Sequence, residues 1–261
     1  MDPDADLVAR WRAEETGQPE GWDFSSLRGR VREDDEPWNL DAEYRACLTS
    51  ARHVLDMGTG GGEHLLTFSE LLPADTVATE GWPPNVDVAR KALEPRVRVV
   101  AWGIDESDSQ FEPMPFEDNR FDLILNRHEA FDPREVCRVL APGGTFLTQQ
   151  VSGDEVAELH AATGKMPDHP DVTYQHVHSG LLEAGMQLVD GAEHVGHYEY
   201  ADIAALVAYL QLVPWDVPDD FTVDRYTDAL MQLHAQGPAN GRPLRLTRKR
   251  FWLKAVKPLE S

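Results

Sequence analysis

The hydrophobic pattern along this chain alternates between two periods. Residues 52–57 (RHVLDM) form a short apolar run that ends in a glycine cluster, which predicts a buried strand. Residues 62–72 (GEHLLTFSELL) then space their apolar positions three and four apart, which predicts a helix. Strand-like runs recur at 76–79, 97–102, 121–126 and 144–151, with helical patterns at 85–94 and 132–140. Strand and helix alternating at this spacing predict βαβ units and a mostly parallel sheet. Right-handed crossovers then put helices on both faces. Ahead of this series, helices are predicted over 4–15 and 40–50, separated by a polar stretch from Gly17 to Pro37. Beyond residue 152 the pattern loosens into helices over 154–163, 174–184, 201–212 and 222–235. Strands are predicted over 186–199 and 244–257.

Composition narrows the class. With 261 residues, 41% of them hydrophobic, the chain can build a core without disulfides or metals. Its formal charge of −22 argues against a bare phosphate backbone as partner, because such binding requires clustered cations. The two cysteines, Cys47 and Cys137, form no disulfide framework and suit a reducing compartment. The start of the chain is acidic (Asp2, Asp4, Asp6) rather than basic and then apolar, so no secretory signal is expected. No apolar run approaches the length needed to span a bilayer. The expectation is a soluble, cytoplasmic protein.

Two clusters of polar residues have alternative meanings. The stretch from Arg242 to Lys257 carries seven basic residues and no acid. It reads either as a nucleic-acid patch or, as the alternation RLTRKRFWLKAV favours, as a strand with its charges on a solvated face. Six of the ten histidines lie between 160 and 197, with His176 and His178 two apart and His194 and His197 three apart. They carry no metalloprotease-type helix motif and no cysteine joins them, so exposed imidazoles are expected and no metal.

The segment VLDMGTGGGE, residues 54–63, carries the most chemistry. A buried strand delivers Asp56, the chain turns through Gly58, Thr59 and Gly60, and a helix begins near Gly62. Glycine serves where the backbone needs positive φ or a ligand must approach without a Cβ in the way. Open α/β sheets bind ligands at this carboxyl end of the strands. The dinucleotide fingerprint wants a third glycine where this chain has Glu63. A carboxylate there repels a pyrophosphate and suits a cationic ligand. No Gly-Lys-Ser/Thr follows, so a P-loop is excluded.

With these residues the chain resembles the class I S-adenosylmethionine-dependent methyltransferases, and within them the group that includes ubiquinone and menaquinone C-methyltransferases. Asp56, Gly58 and Gly60 match the family's first motif. Glu80, 24 positions later in VATEGW, matches the acidic residue that ends the second family strand. MPFEDNRFDLILNRH (114–128) and EVCRVLAPGGTFLTQQV (135–151) resemble the fourth and fifth family strands with their lead-ins. The resemblance covers 38–151 strongly. It implies a Rossmann-like, mostly parallel seven-stranded sheet with helices on both faces and an antiparallel C-terminal strand. It also implies an N-terminal helical arm or lid over 1–50 and a methyltransferase domain over 51–261, with substrate-side insertions at about 152–172 and 198–240.

The implied cofactor is S-adenosyl-L-methionine, with S-adenosyl-L-homocysteine as product. Asp56, Gly58, Thr59 and Gly60 would line its methionine and ribose part, and Glu63 would sit near its ammonium. Glu80 would hold the ribose hydroxyls, a task that suits two carboxylate oxygens. Gly81, Trp82, Gly103 and Ile104 would flank the adenine. Asn126 and Arg127 would close the fourth family strand beneath the sulfonium. Trp38 is either an N-terminal lid aromatic, whose ring face would meet the sulfonium, or an ordinary packing tryptophan. His128 is either a general base for a hydroxyl acceptor or a structural imidazole at a strand end. Asn126-Arg127-His128-Glu129 departs from the Asn/Asp-Pro-Pro-Tyr signature of amino-group methyltransferases acting on nucleobases or glutamine. A small-molecule acceptor methylated on O, N or C by in-line displacement is therefore the expected function. The alternatives are an RNA methyltransferase and a non-catalytic protein that binds the cofactor.

Overall fold

The computed structural model describes residues 3–16, 25–104 and 112–259. Eight strands hydrogen-bond in the order β1-β7-β8-β6-β5-β2-β3-β4. They are β1 (Val31–Glu33), β2 (His53–Met57), β3 (Asp75–Glu80), β4 (Arg98–Ala101), β5 (Phe121–Arg127), β6 (Leu140–Val151), β7 (Gln187–Tyr200) and β8 (Leu244–Val256). The nine α-helices among the described residues are α1 (Pro3–Ala13), α2 (Leu40–Leu48), α3 (Glu63–Leu66), α4 (Pro83–Leu93), α5 (Pro133–Val139), α6 (Ala157–Thr163), α7 (Tyr174–Glu183), α8 (Ile203–Leu210) and α9 (Thr227–Gln236). The chain divides into two compact units, one formed by 37–151, 172–193 and 250–261, the other by 1–36, 152–171 and 194–249.

In the first unit β5, β2, β3 and β4 run parallel, β6 runs parallel to β5, and β8 pairs antiparallel with β6. Side chains alternate across a strand, so neighbouring residues enter two separate cores. Val54, Leu123, Leu125 and Leu147 pack with α2, α3 and α4 on one face. Leu55, Ile124 and Phe146 pack with α5 and α7 on the other. The expected helix over 62–72 is shorter than its pattern. After Leu66 the backbone tightens into i→i−3 bonds, with Phe68 N to Leu65 O at 3.0 Å and Leu71 N to Phe68 O at 2.8 Å. The apolar spacing still buries Leu65, Phe68 and Leu72.

In the second unit α1, α8 and α9 bury Trp11, Leu206, Leu210, Leu230 and Leu233 with Tyr198 and Tyr200 of β7. Here β1 pairs antiparallel with β7, bringing Arg32 opposite Glu199 with their charges 2.7 Å apart. This eighth strand is an addition to the seven expected. Its three residues are too few and too charged to show a period.

The basic stretch near the end of the chain is a correction in part: Arg242 and Arg245 keep the exposure expected of a solvated face, while the other cations of the stretch are wholly or partly buried. Arg248 and Arg250 are buried. Arg248 is paired with Glu33 at 3.1 Å and Glu36 at 2.7 Å. Lys249 pairs with Asp154 at 2.9 Å, Arg245 with Glu199 at 3.4 Å and Lys254 with Glu43 at 3.2 Å. Lys257 donates to the carbonyls of Cys137 and Leu140 at 2.8 and 2.9 Å. Among the described residues no helix is long and apolar enough to cross a membrane, and no three His, Cys, Asp or Glu side chains gather as metal ligands.

Candidate cofactor and methyl-transfer site

The parallel register sets the site. Met57 lies opposite Asn126 and Glu80 opposite Ala101, so β5, β2, β3 and β4 end side by side and release their loops together. After β2 the backbone takes left-handed φ values at Gly58 (62°), Gly60 (62°) and Gly62 (87°), conformations that favour glycine. Thr59 N donates to Thr79 O at 2.8 Å, which pins this turn to β3.

Glu80 joins the turn to the next loop. One carboxylate oxygen accepts from Gly60 N at 2.7 Å and the other from Trp82 N at 2.8 Å. The side chain is buried and immobilised, and each oxygen retains a lone pair for a further donor. Gly81 and Gly103 touch through their backbones. A Cβ on Gly81 would fall 2.7 Å from Gly103 Cα, so the loops after β3 and β4 cross only because both residues lack side chains. Trp82 is half exposed at the start of α4, and Ile104 is half-buried. Asp105, the next residue, lies outside the described residues.

Asp56 is buried at the end of β2. Burial pushes its carboxyl up to about 6, against the opposing pull of the Arg127 guanidinium. Arg127 is exposed at the end of β5. Glu63 opens α3 with its carboxylate folded back over Gly61. His64 beside it bonds Asp41 at 2.9 Å, and burial holds its pKa below the ordinary histidine value.

The segment after β5 carries most of the site's polar bonding. Asn126 is fully enclosed. Its oxygen accepts from Thr148 at 3.0 Å and Gln150 at 2.7 Å, and its amide nitrogen donates to Glu129 O at 3.1 Å. Tyr44 donates to the Asn126 carbonyl at 3.1 Å. Asn126 therefore braces the loop from within. His128 follows with a left-handed φ of 64° and an exposed ring. Its backbone N donates to Gln149 O at 2.9 Å, and its Nε2 lies 3.3 Å from Gln149 Nε2. Trp38 is half-buried, packs on the α2 face and donates from Nε1 to Gln149 Oε1 at 2.8 Å.

Sequence reading missed three residues here. Glu129 leaves the strand end and lays its side chain over the glycine turn: a Cβ on Gly58 would meet Glu129 Oε2 at 2.4 Å. Gln149 and Gln150, both buried, hold the loop against β6. The pair of glutamines in an otherwise apolar strand, TFLTQQV, was the visible signal.

Residues 55–148, which run from β2 into β6, match the family model described as a methyltransferase domain. Over residues 55–148 the chain is similar to methyltransferase domains. A 23S rRNA (guanine(748)-N(1))-methyltransferase from Streptomyces fradiae is 30% identical over 121 residues, 45% of this chain and 41% of that protein. A demethylmenaquinone methyltransferase from Thermus thermophilus is 32% identical over 124 residues, 43% of this chain and 53% of that protein. The chain thus spans about half the length of the curated relatives it matches. A solved Bacillus halodurans C-125 protein assigned as a methyltransferase shares the fold with a TM-score of 0.59. It is 19% identical, with 84% of this chain and 99% of that chain covered.

Proposed function

We propose that this methyltransferase domain binds S-adenosyl-L-methionine and transfers its methyl group to a small-molecule acceptor. The observation that carries the reading is the Glu80 carboxylate, fixed by Gly60 N and Trp82 N beside a left-handed glycine turn. A carboxylate locked in this way suits a vicinal diol, because both oxygens are already oriented. The contact between Gly81 and Gly103 and the open turn at Gly58 and Gly60 provide the close backbone approach that a nucleoside requires. Asp56, Thr59, Glu63, Trp82, Ile104 and Arg127 surround these elements and complete the set of residues that would hold the cofactor.

The cofactor, when bound, supplies an activated methyl on a sulfonium, and the chain's part is to align an acceptor and exclude water. Asn126, Thr148 and Gln150 keep the loop after β5 rigid, which fixes where His128 and Glu129 stand. The charge of −22, and the use of the β8 cations in internal pairs, favour a small molecule over RNA as acceptor. The matched rRNA methyltransferase keeps RNA as the second reading. The segments outside the matched region select the acceptor in this reading.

Titration calorimetry with S-adenosylhomocysteine, S-adenosylmethionine and NAD tests the cofactor. Binding of the first two without NAD is the expected result, and binding of NAD alone overturns the reading. Methyl transfer from labelled cofactor to quinol-type and phenolic acceptors, against rRNA fragments, then separates the two acceptor classes.

A further inference from the structure

The second unit encloses a cavity of about 260 Å³ that shares no residue with the glycine turn or its partners. Three elements build its walls. α1 contributes Leu7, Arg10 and Trp11, whose spacing of three and four places them on one helix face. Asp202 at the start of α8 and His234 in the last turn of α9 add polar groups. After α9 the chain folds back on itself. Asn240 N and Arg242 N both donate to Gly237 O, at 2.9 and 3.2 Å, and Gly241 takes a left-handed φ of 69°. That turn delivers Arg242 to the same cavity as Arg10.

The cations here differ from those of β8. Arg12, two positions from Arg10, pairs with Asp224. The guanidinium groups of Arg10 and Arg242 have no ion pair or side-chain hydrogen bond among the described residues. Two such charges on one cavity repel each other until an anion joins them. Asp202 is the acid in the lining, and one of its carboxylate oxygens already accepts from Ala205 N at 2.8 Å. The Nδ1 of His234 is enclosed and has no hydrogen-bond partner. Such an atom costs free energy in the unliganded protein, a cost that a polar ligand beside it removes.

We propose that this cavity is a binding site for a small carboxylic acid with an apolar or aromatic body. Arg10 and Arg242 supply two positive charges and Asp202 one negative, so a monoanion leaves the cavity neutral. A phosphate dianion would add uncompensated negative charge to a chain already at −22. The guanidinium fork also matches a planar carboxylate, which it engages through two parallel hydrogen bonds. Leu7 and the buried Trp11 ring, which meets His234 edge-on at 5.9 Å, offer an apolar surface to the rest of the ligand. The volume lies below the roughly 300–1,000 Å³ of pockets for drug-sized ligands, so the acid is small.

The test is titration of the full-length protein with benzoate, benzamide and phenyl phosphate, followed by calorimetry and by proton–nitrogen NMR spectra. Benzoate should bind saturably, benzamide should not, and phenyl phosphate should bind more weakly than benzoate. Arg10→Gln and Arg242→Gln should each weaken benzoate about 5–10-fold, less than a buried charged hydrogen bond provides because both guanidinium groups are exposed. The double variant should abolish binding. Neither arginine has an internal partner, so unfolding midpoints should stay at the wild-type value and separate lost binding from lost folding. Arg127→Gln, which alters the proposed cofactor site instead, should bind benzoate as wild type does. Absence of saturable benzoate binding overturns the proposal, as does benzamide binding as tightly as benzoate or phenyl phosphate binding more tightly. Wild-type affinity in the double variant, or loss of binding in Arg127→Gln alone, also overturns it. None of these outcomes depends on S-adenosylmethionine, so the carboxylate site and the methyl-transfer reading stand or fall separately.

Discussion

Gly81 and Gly103 cross with their α-carbons in contact, and either Cβ would fall within 2.7 Å of the other residue's Cα. The neighbouring atoms are backbone and cannot rotate away. Gly103→Ala and Gly81→Ala should each separate the loops after β3 and β4 and cost about 1–3 kcal/mol, the range for forcing extra carbon into a packed site. Urea denaturation should show a lower midpoint in both variants, and S-adenosylhomocysteine should bind more weakly to each. Unchanged midpoints would mean that the crossing relaxes without strain.

Glu80→Ala removes an acceptor for two backbone N–H groups as well as the proposed partner of the ribose. Affinity for S-adenosylhomocysteine should fall by roughly 1.5–3 kcal/mol, the range for hydrogen bonds to a charged group. Stability should fall too, because Gly60 N and Trp82 N lose their partner. A variant that loses stability but binds normally would limit Glu80 to a structural role.

Asp56 should make stability depend on pH with a defined sign. Its carboxyl is raised from 3.8 to about 6 by burial, so the folded state prefers the proton. Below about pH 4 the folded and unfolded states both carry it and no cost arises. As the pH rises through about 6 the folded carboxyl ionises, and the cost approaches about 3 kcal/mol at full ionisation. Asp56→Asn should therefore stabilise the free protein at pH 8 and give no gain at pH 4, while weakening cofactor binding. Urea midpoints at the two pH values check this, and an equal effect at both would exclude the ionisation.

Glu129 covers Gly58 with a carboxylate. In the proposed site this charge favours a cationic ligand, so Glu129→Gln should weaken S-adenosylmethionine about 3–10-fold more than S-adenosylhomocysteine, which lacks the sulfonium charge. Calorimetry on both ligands measures the ratio. A ratio equal to that of wild type would remove the electrostatic role.

The parallel sheet was legible because its strands are buried on both faces and announce themselves as apolar runs between glycine turns. The glycine turn was visible in its own residues, whereas Glu80 was singled out only through the family resemblance. What could not be read was specified by partners distant in sequence. Arg32 makes β1 a strand by meeting Glu199, 167 residues away. Likewise the basic residues of β8 are neutralised by Glu33, Glu36, Glu43 and Asp154, which no local pattern links to them. Asn126 sits at a position that the resemblance assigns to the cofactor, yet its bonds to Thr148 and Gln150 turn its side chain into the support of the loop.

The internal pairing of the β8 cations shapes the protein's behaviour at long range. Side chains matched within an ångström-scale contact contribute little to the potential beyond one screening length, so the excess of carboxylates is what a diffusing molecule meets. Molecules bearing positive charge arrive faster than neutral ones, and polyanions arrive more slowly. Added salt should slow the first and hasten the second, which makes ionic strength a dial on encounter frequency that leaves the chemistry after docking untouched.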